Sequence, residues 1–131
     1  MTKLIHTMLR VSDLARSIDF YQLALALDVR AQYVFDTFTL TYLGNQETEV
    51  ELELTFNHNQ TQPYLLGNAY GHIAVSVSDI DACHRKLIEK GLEPSDIKAL
   101  DHKGQHLATF FFLTDPDGYK IEFLQRQGRY L

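Results

Sequence analysis

Two histidines and two glutamates stand at corresponding places in the two halves of this chain. His6 and His72 are 66 residues apart, and Glu53 and Glu122 are 69 residues apart. Each of the four falls in a segment whose apolar and polar residues alternate, which is typical of a half-buried strand. Imidazole and carboxylate groups together suit a divalent first-row metal, and the absence of thiolates disfavours a structural zinc cage. The pattern therefore indicates a catalytic metal site.

The carboxylate of the first half is not fixed by the pattern alone. Glu51 and Glu53 are two residues apart, so both side chains point to the same face of their strand. Taken singly, a glutamate on a strand is usually a solvated surface residue, and a histidine is usually hydrogen-bonded and partly buried. The recurrence of a histidine and a glutamate in both halves is what favours metal ligands.

An internal repeat would position these residues. The run from His6 to Leu14 aligns without a gap with the run from His72 to Ile80 and matches it at histidine, valine, serine and aspartate. In each half a strand that begins at the histidine runs into Ser-Asp, which is a typical start of a helix. Three further strands after each helix would give the order βαβββ twice.

The expected elements follow from periodicity and turn residues. The buried helix faces should be Leu14, Ile18, Tyr21 and Leu25 in the first helix and Ile80, Cys83, Leu87 and Ile88 in the second. The expected later strands are Val29–Phe35, Phe38–Leu43, Val50–Phe56, Pro94–Leu100, Ala108–Leu113 and Tyr119–Leu124. The predicted fold class is α+β, a single domain over residues 1–131 made of two tandem βαβββ modules, about 1–57 and 70–131, joined by 58–69.

The first strand should be apolar on one face and polar on the other. Ile5, Leu9 and Val11 share a face, which we expect to pack against the helix. His6 and Arg10 share the opposite face, about 13 Å apart at a strand rise of about 3.3 Å per residue. An imidazole and a guanidinium on one face suit a lined cleft better than a dry core.

Composition excludes several classes of function. The chain has 131 residues, a formal net charge of -5 and no run of lysine or arginine, which argues against nucleic-acid binding. No apolar stretch is long enough to cross a membrane and no secretory signal opens the chain, so we expect a cytoplasmic protein. Cys83 is the only cysteine, so no internal disulfide can form, and we expect a small buried residue there rather than a nucleophile.

Five segments of the sequence resemble those of the vicinal oxygen chelate superfamily and, within it, the short bacterial glyoxalase I family. They are His6–Val11, Ser17–Tyr21, Glu53–Asn57, Tyr70–Ala74 and Asp115–Glu122. The resemblance implies two modules that form a curved sheet cleft. It also implies isomerisation of the hemithioacetal of methylglyoxal and glutathione to S-D-lactoylglutathione through an enediolate.

The resemblance also implies a metal site shared between subunits. The implied ligands are His6, Glu53, His72 and Glu122, and the match at Glu53–Asn57 selects Glu53 over Glu51. A histidine in the first position resembles the class activated by nickel or cobalt and poorly by zinc. The implied assembly is a C2 homodimer, in which His6 and Glu53 of one subunit meet His72 and Glu122 of the other.

The substrate-contacting residues implied by the resemblance are Arg10, Asn57, His72 and Lys103. Glutathione carries two carboxylates, which suit a guanidinium, an amide and an ammonium group. A surface salt bridge is an alternative explanation of Lys103. The expected catalytic base is Glu122, with Glu53 as its partner.

The sequence departs from the family at a few positions. Ala26 stands where these proteins usually have glycine, which should alter a turn and leave the chemistry unchanged. His102 and His106 have no family counterpart, and we place them on a loop.

Three other functions fit the same fold. A fosfomycin-type thiol transferase or an extradiol dioxygenase would have a site of two histidines and one glutamate. Glu53, as a fourth candidate ligand, argues against both of these functions. A metal-free module that sequesters an antibiotic would lack the four ligands. The thiol also stays open, because a low-molecular-weight thiol other than glutathione would fit similar groups.

Overall fold

The chain forms two units that repeat one topology. The computed structural model describes all residues, Met1–Leu131, and they divide into Met1–Leu65 and Leu66–Leu131. The two predicted modules, about 1–57 and 70–131, each lie inside one of these units. Each unit contains one helix and one four-stranded sheet, so the predicted repeat of βαβββ is confirmed.

The first unit has its first and last strands side by side. Its elements are β1 (His6–Arg10), α1 (Leu14–Leu25), β2 (Asp28–Val34), β3 (Phe38–Gly44) and β4 (Glu51–Asn57). The sheet order is β1-β4-β3-β2, with β1 parallel to β4 and the other neighbours antiparallel. Strand β4 is therefore an inner strand, and β1 is an edge strand.

The second unit has the same arrangement. Its elements are β5 (His72–Val77), α2 (Ile80–Glu89), β6 (Lys98–His102), β7 (Gln105–Thr114) and β8 (Lys120–Gln125). The sheet order is β5-β8-β7-β6, and β5 is parallel to β8. A parallel pair needs a long crossover, and in each unit the helix and two strands between the paired strands supply it.

Each helix begins at the aspartate that the repeat predicts. The Asp13 carboxylate accepts a hydrogen bond from the Arg16 backbone N–H at 3.0 Å, and the Asp79 carboxylate accepts one from the Ala82 N–H at 2.9 Å. Such caps satisfy backbone donors that the first helical turn leaves without partners. Neither helix is long and apolar enough to cross a membrane.

The core of each unit lies between its helix and one face of its sheet. The most deeply buried side chains are Val11, Tyr21, Leu43 and Leu54 in the first unit and Leu87, Phe111, Ile121 and Phe123 in the second. Two predicted core positions are wrong, because Ile5 is 59% exposed and Ile88 is 53% exposed. Ile5 precedes β1, and Leu87 takes the buried place that Ile88 would share.

Of the six predicted later strands, three are shifted by one residue and one is extended by one residue. The first hairpin of the second unit departs further from its prediction. Strand β6 covers Lys98–His102 rather than Pro94–Leu100, and β7 begins at Gln105. Lys103 and Gly104 join them in a tight turn with positive φ angles of 51° and 78°. His102 and His106 therefore lie on strands, and the predicted loop is wrong.

Candidate metal centre

His6 and Glu53 form a close pair in the first unit. The backbone partner of His6 across the parallel strands is Glu51, but the His6 Nε2 atom lies 2.8 Å from Glu53 Oε2, two residues further along β4. Glu51 lies instead near Arg30, with 3.9 Å between its carboxylate and the guanidinium. The geometry therefore favours Glu53 over Glu51, where the pattern alone left both.

His72 and Glu122 repeat the same geometry in the second unit. The backbone partner of His72 is Lys120, and the His72 Nε2 atom lies 2.9 Å from Glu122 Oε2, again two residues further along. Lys120 occupies the position that Glu51 has in the first unit. What the two units share is thus a diagonal histidine-glutamate pair between an edge strand and an inner strand.

The carboxylates are more buried than the imidazoles. The side chains of Glu53 and Glu122 are 10% and 18% exposed, whereas those of His6 and His72 are 35% and 42% exposed. A carboxylate removed from water needs donors or a cation close to it. The burial follows from position, since β4 and β8 each have a neighbouring strand on both sides.

An aromatic ring stands opposite each glutamate. Tyr42 on β3 is the backbone partner of Glu53, and Phe112 on β7 is the backbone partner of Glu122. Each ring meets the histidine of its own pair edge to face, with centroids 5.7 Å apart in the first unit and 5.3 Å in the second. Burial raises the pKa of Tyr42, and the nearby Glu53 carboxylate raises it further.

These pairs fit a divalent metal by chemistry and by spacing. Each unit presents one imidazole nitrogen and one carboxylate oxygen, a mixed donor set that suits nickel, cobalt or zinc. Two adjacent ligands at right angles, each about 2.1 Å from a metal, lie about 3.0 Å apart, which is close to both observed N–O distances. Within neither unit do three or more such side chains gather, so each unit offers two donors.

Arg10 and Asn57 lie at the far ends of the strands that carry the first pair. The backbone partner of Arg10 is Thr55. Asn57 is thus two residues beyond the backbone partner of Arg10, just as Glu53 is two residues beyond the backbone partner of His6. The Asn57 amide donates to the Tyr64 hydroxyl at 3.3 Å. A cation and an amide are thus aligned along the same two strands, about 13 Å from the pair at a rise of about 3.3 Å per residue.

The remaining candidates lie on other elements of the second unit. Lys103 is exposed in the turn between β6 and β7 and forms no ion pair within the chain, so the salt-bridge alternative is wrong within this chain. His106 approaches Asp101 at 3.6 Å in the same hairpin. Cys83 is half-buried on α2, and burial raises the pKa of its thiol. A raised thiol pKa leaves little thiolate, which makes Cys83 a poor nucleophile.

Comparison with known proteins places the chain in a family. A family model described as the Glyoxalase/Bleomycin resistance protein/Dioxygenase superfamily matches residues 3–123. The chain belongs to this superfamily. The matched residues span both units of this chain. The family resemblance of the five sequence segments is therefore confirmed over nearly the whole sequence.

Relatives within the superfamily share both sequence and fold with the chain. The lactoylglutathione lyase of Neisseria meningitidis serogroup A is 45% identical, and the match covers 96% of this chain and 92% of that protein. The lactoylglutathione lyase of Haemophilus influenzae is 39% identical over 96% of this chain and 94% of its own length. The solved structure of Leishmania major glyoxalase I, described as trypanothione-dependent, is 36% identical with a TM-score of 0.75, covering 95% of this chain and 87% of that one. The predicted glyoxalase fold is therefore confirmed.

Proposed function

We propose that this chain is a lactoylglutathione lyase, a glyoxalase I, that isomerises the hemithioacetal of methylglyoxal and glutathione to S-D-lactoylglutathione. One observation of the structure carries the proposal: the histidine-glutamate pair occurs twice, with N–O distances of 2.8 Å and 2.9 Å. The curated relatives at 39% and 45% identity bear the name of this enzyme. The reaction removes methylglyoxal, a reactive 2-oxoaldehyde.

The metal centre would consist of His6, Glu53, His72 and Glu122. The proposed ion is nickel, with cobalt as a substitute and zinc as a weaker activator, because a histidine in the first position resembles the nickel- and cobalt-activated class. When bound, the ion supplies positive charge that stabilises the negative charge developing on the two substrate oxygens.

Glu122 is the proposed catalytic base. A hydrogen on the carbon next to a carbonyl is weakly acidic, and the Glu122 carboxylate removes it to give an enediolate. The same carboxylate returns the proton to the adjacent carbon while the hydroxyl proton passes from one substrate oxygen to the other, which completes the isomerisation without any net change in protons. Glu53 is its partner in the centre, beside His6.

The glutathione part of the substrate would bind along the first unit. The Arg10 guanidinium pairs with a glutathione carboxylate, and the Asn57 amide donates a further hydrogen bond. Lys103 supplies a second cation for the other carboxylate, and His72 contacts the substrate beside the metal. The Leishmania major relative is described as trypanothione-dependent. The test below therefore compares glutathione with trypanothione.

The assembly we propose is a C2 homodimer in the cytoplasm. Each site would combine His6 and Glu53 of one subunit with His72 and Glu122 of the partner subunit. Closed two-fold symmetry gives two equal sites per dimer. The proposal is supported by the division of the four candidate ligands into two pairs that belong to different units.

The test is metal reconstitution. Protein stripped of metal is supplied with nickel, cobalt or zinc, and thioester formation is followed from preformed hemithioacetal of methylglyoxal with glutathione or with trypanothione. We expect high activity with nickel and cobalt, little with zinc, and a preference for glutathione. A folded protein that is inactive with every metal and both thiols would refute the proposal.

Two matched variants separate the base from its neighbours. Glu122→Gln should lower kcat by about 10²- to 10⁴-fold, which is the usual contribution of a general base. Glu51→Gln is the control, because Glu51 shares a strand face with Glu53 but pairs with Arg30. It should keep kcat within about two-fold of the unchanged protein, as expected for a solvated surface pair.

A further inference from the structure

Glu51 is a carboxylate beside the first pair that takes no part in it. It is the backbone partner of His6 on β1, and it shares a strand face with Glu53. A carboxylate next to a metal site is a potential further donor to the ion. Within the first unit, however, no third such side chain joins the pair. The contacts of Glu51 show what directs it elsewhere.

The residue that meets Glu51 lies in a β-bulge of strand β2. Val29 is the backbone partner of Leu43 on β3, and Ala31 is the partner of Tyr42, the residue before Leu43. Arg30 is therefore an extra residue of β2 with no partner on β3. Bulges of this kind turn a side chain in a new direction and are common beside functional sites.

The side chain of Arg30 crosses strand β3 at Gly44. A Cβ atom at Gly44 would lie 2.6 Å from Arg30 Nε and 2.7 Å from Arg30 Cζ, so the guanidinium fits there only because Gly44 has no side chain. In the register of β3 and β4, Gly44 follows the pair of Leu43 and Leu52, which places it opposite Glu51. The glycine thus opens a path from β2 across β3 to β4.

Two contacts fix the guanidinium at the end of this path. Arg30 donates a hydrogen bond to the Asn45 carbonyl, and its Nη1 atom lies 3.9 Å from Glu51 Oε2. The Arg30 and Glu51 side chains are 39% and 31% exposed, so water screens their attraction only in part. A guanidinium that the backbone already holds loses less freedom when it pairs with a carboxylate.

The second unit reaches the same result with a different residue. Lys120 is the backbone partner of His72 and so has the place of Glu51. A lysine ammonium group has three donors and no acceptor, and it cannot ligate a metal. In both units a cation therefore lies at the position two residues before the glutamate of the pair, or against it.

We propose, on the basis of the metal centre in the function proposed above, that Arg30 is a positioning residue that holds Glu51 away from the metal. The centre then receives one carboxylate from the first unit rather than two. A second carboxylate would favour manganese over nickel, because carboxylate oxygens suit manganese and imidazole suits nickel. Arg30 thereby helps to set which metal the site prefers.

Two substitutions release Glu51 in different ways. Arg30→Met removes the guanidinium, and Gly44→Ala displaces it without a change in net charge. For each variant we expect the Kd for manganese divided by the Kd for nickel, measured by competition with a chelator, to fall at least about three-fold, as on loss of a partly exposed ion pair. The visible absorption spectrum of the cobalt-loaded protein should change as well, because it reports the ligands of the ion.

Glu51→Gln is the control for both variants. Alone, it should leave the Kd ratio and the cobalt spectrum unchanged, because Glu51 is not a ligand in the unchanged protein. Combined with Arg30→Met, it should restore both, since no second carboxylate remains to bind. A distortion of the chain at Asn45 would persist in the double variant, and thermal unfolding identifies any general loss of structure.

The inference requires that the ratio and the spectrum change in both Arg30→Met and Gly44→Ala and that Glu51→Gln reverses the change in Arg30→Met. Any other result overturns it, including a change confined to Arg30→Met, which would be an effect of charge alone. If the unchanged protein bound metal but were inactive with every metal, the proposed function would fail. The Kd ratio would still decide the role of Arg30.

Discussion

Ala26 ends helix α1 in a conformation that glycine adopts more easily. Its φ and ψ angles are 53° and 39°, and its backbone N–H donates to the Gln22 carbonyl. A left-handed residue at this place is usually glycine, which is also what the family resemblance led us to expect. The side chain of Ala26 therefore strains the turn without touching either ligand pair.

Replacing Ala26 should stabilise the protein. Ala26→Gly removes a left-handed strain of about 1 kcal/mol, and we expect the free energy of unfolding in denaturant to rise by up to about that amount. Ala24→Gly, inside the helix, is the matched control and should lower it by about 1 kcal/mol. A fall in stability for Ala26→Gly would show that the turn is not strained.

Single residues also show what the sequence could predict about the site. The repeat identified both histidines and both glutamates, and their pairing in the structure agrees with it. The position of Tyr42 opposite Glu53 was missed, because it depends on the register between β3 and β4. The connection between those strands, residues 45–50, begins with a turn residue, Asn45, but is longer than the two-residue turns that fix a register by themselves.

At the scale of elements, strand β6 shows why the second hairpin was misplaced. All five of its residues are exposed, so the alternation that marks a half-buried strand is absent. Lys-Gly at positions 103 and 104 is also a weaker hairpin signal than Asn-Gly. Strands β3, β4 and β8, which contribute buried residues to the core, were placed within one residue of their ends, whereas the start of the core strand β7 was predicted three residues too late.

The turn between β6 and β7 leads to a prediction about Lys103. Its φ of 51° and the 78° of Gly104 match a type I′ hairpin, in which asparagine is favoured at the first central position. Lys103→Asn should keep the free energy of unfolding or raise it by up to about 1 kcal/mol. The KM for the glutathione hemithioacetal should rise several-fold, because the proposed site loses a cation.

A charge-conserving variant checks this assignment. Lys103→Arg should keep KM near that of the unchanged protein while leaving the turn strained. An unchanged KM in Lys103→Asn would remove Lys103 from the glutathione site and leave its role confined to the hairpin.

At the scale of the whole molecule, the division of the ligands into two pairs allows a test of the proposed dimer. His6→Ala disables the pair of the first unit, and His72→Ala disables the pair of the second. Each variant alone should be inactive. When equal amounts are mixed and allowed to exchange subunits, half of the dimers are mixed, and one of the two sites in each mixed dimer contains no substitution.

Activity should therefore return to about one quarter of that of the unchanged protein if the sites lie between subunits. Mixing His6→Ala with Glu53→Gln is the control, because both changes fall in the same pair and no intact site can form. Absence of recovery in the first mixture, with subunit exchange shown by mass spectrometry, would place each site within one chain.

The parallel pairing of the first and last strands also sets when the centre can form during synthesis. His6 and Glu53 are 47 residues apart in sequence, and His72 and Glu122 are 50 residues apart, yet each pair closes across adjacent strands. Contacts between such distant residues form slowly and late in folding. A chain cut short before the last strand of a unit lacks the glutamate of that unit and cannot form its pair. In the proposed centre, binding of metal by all four ligands therefore requires that both units have finished folding.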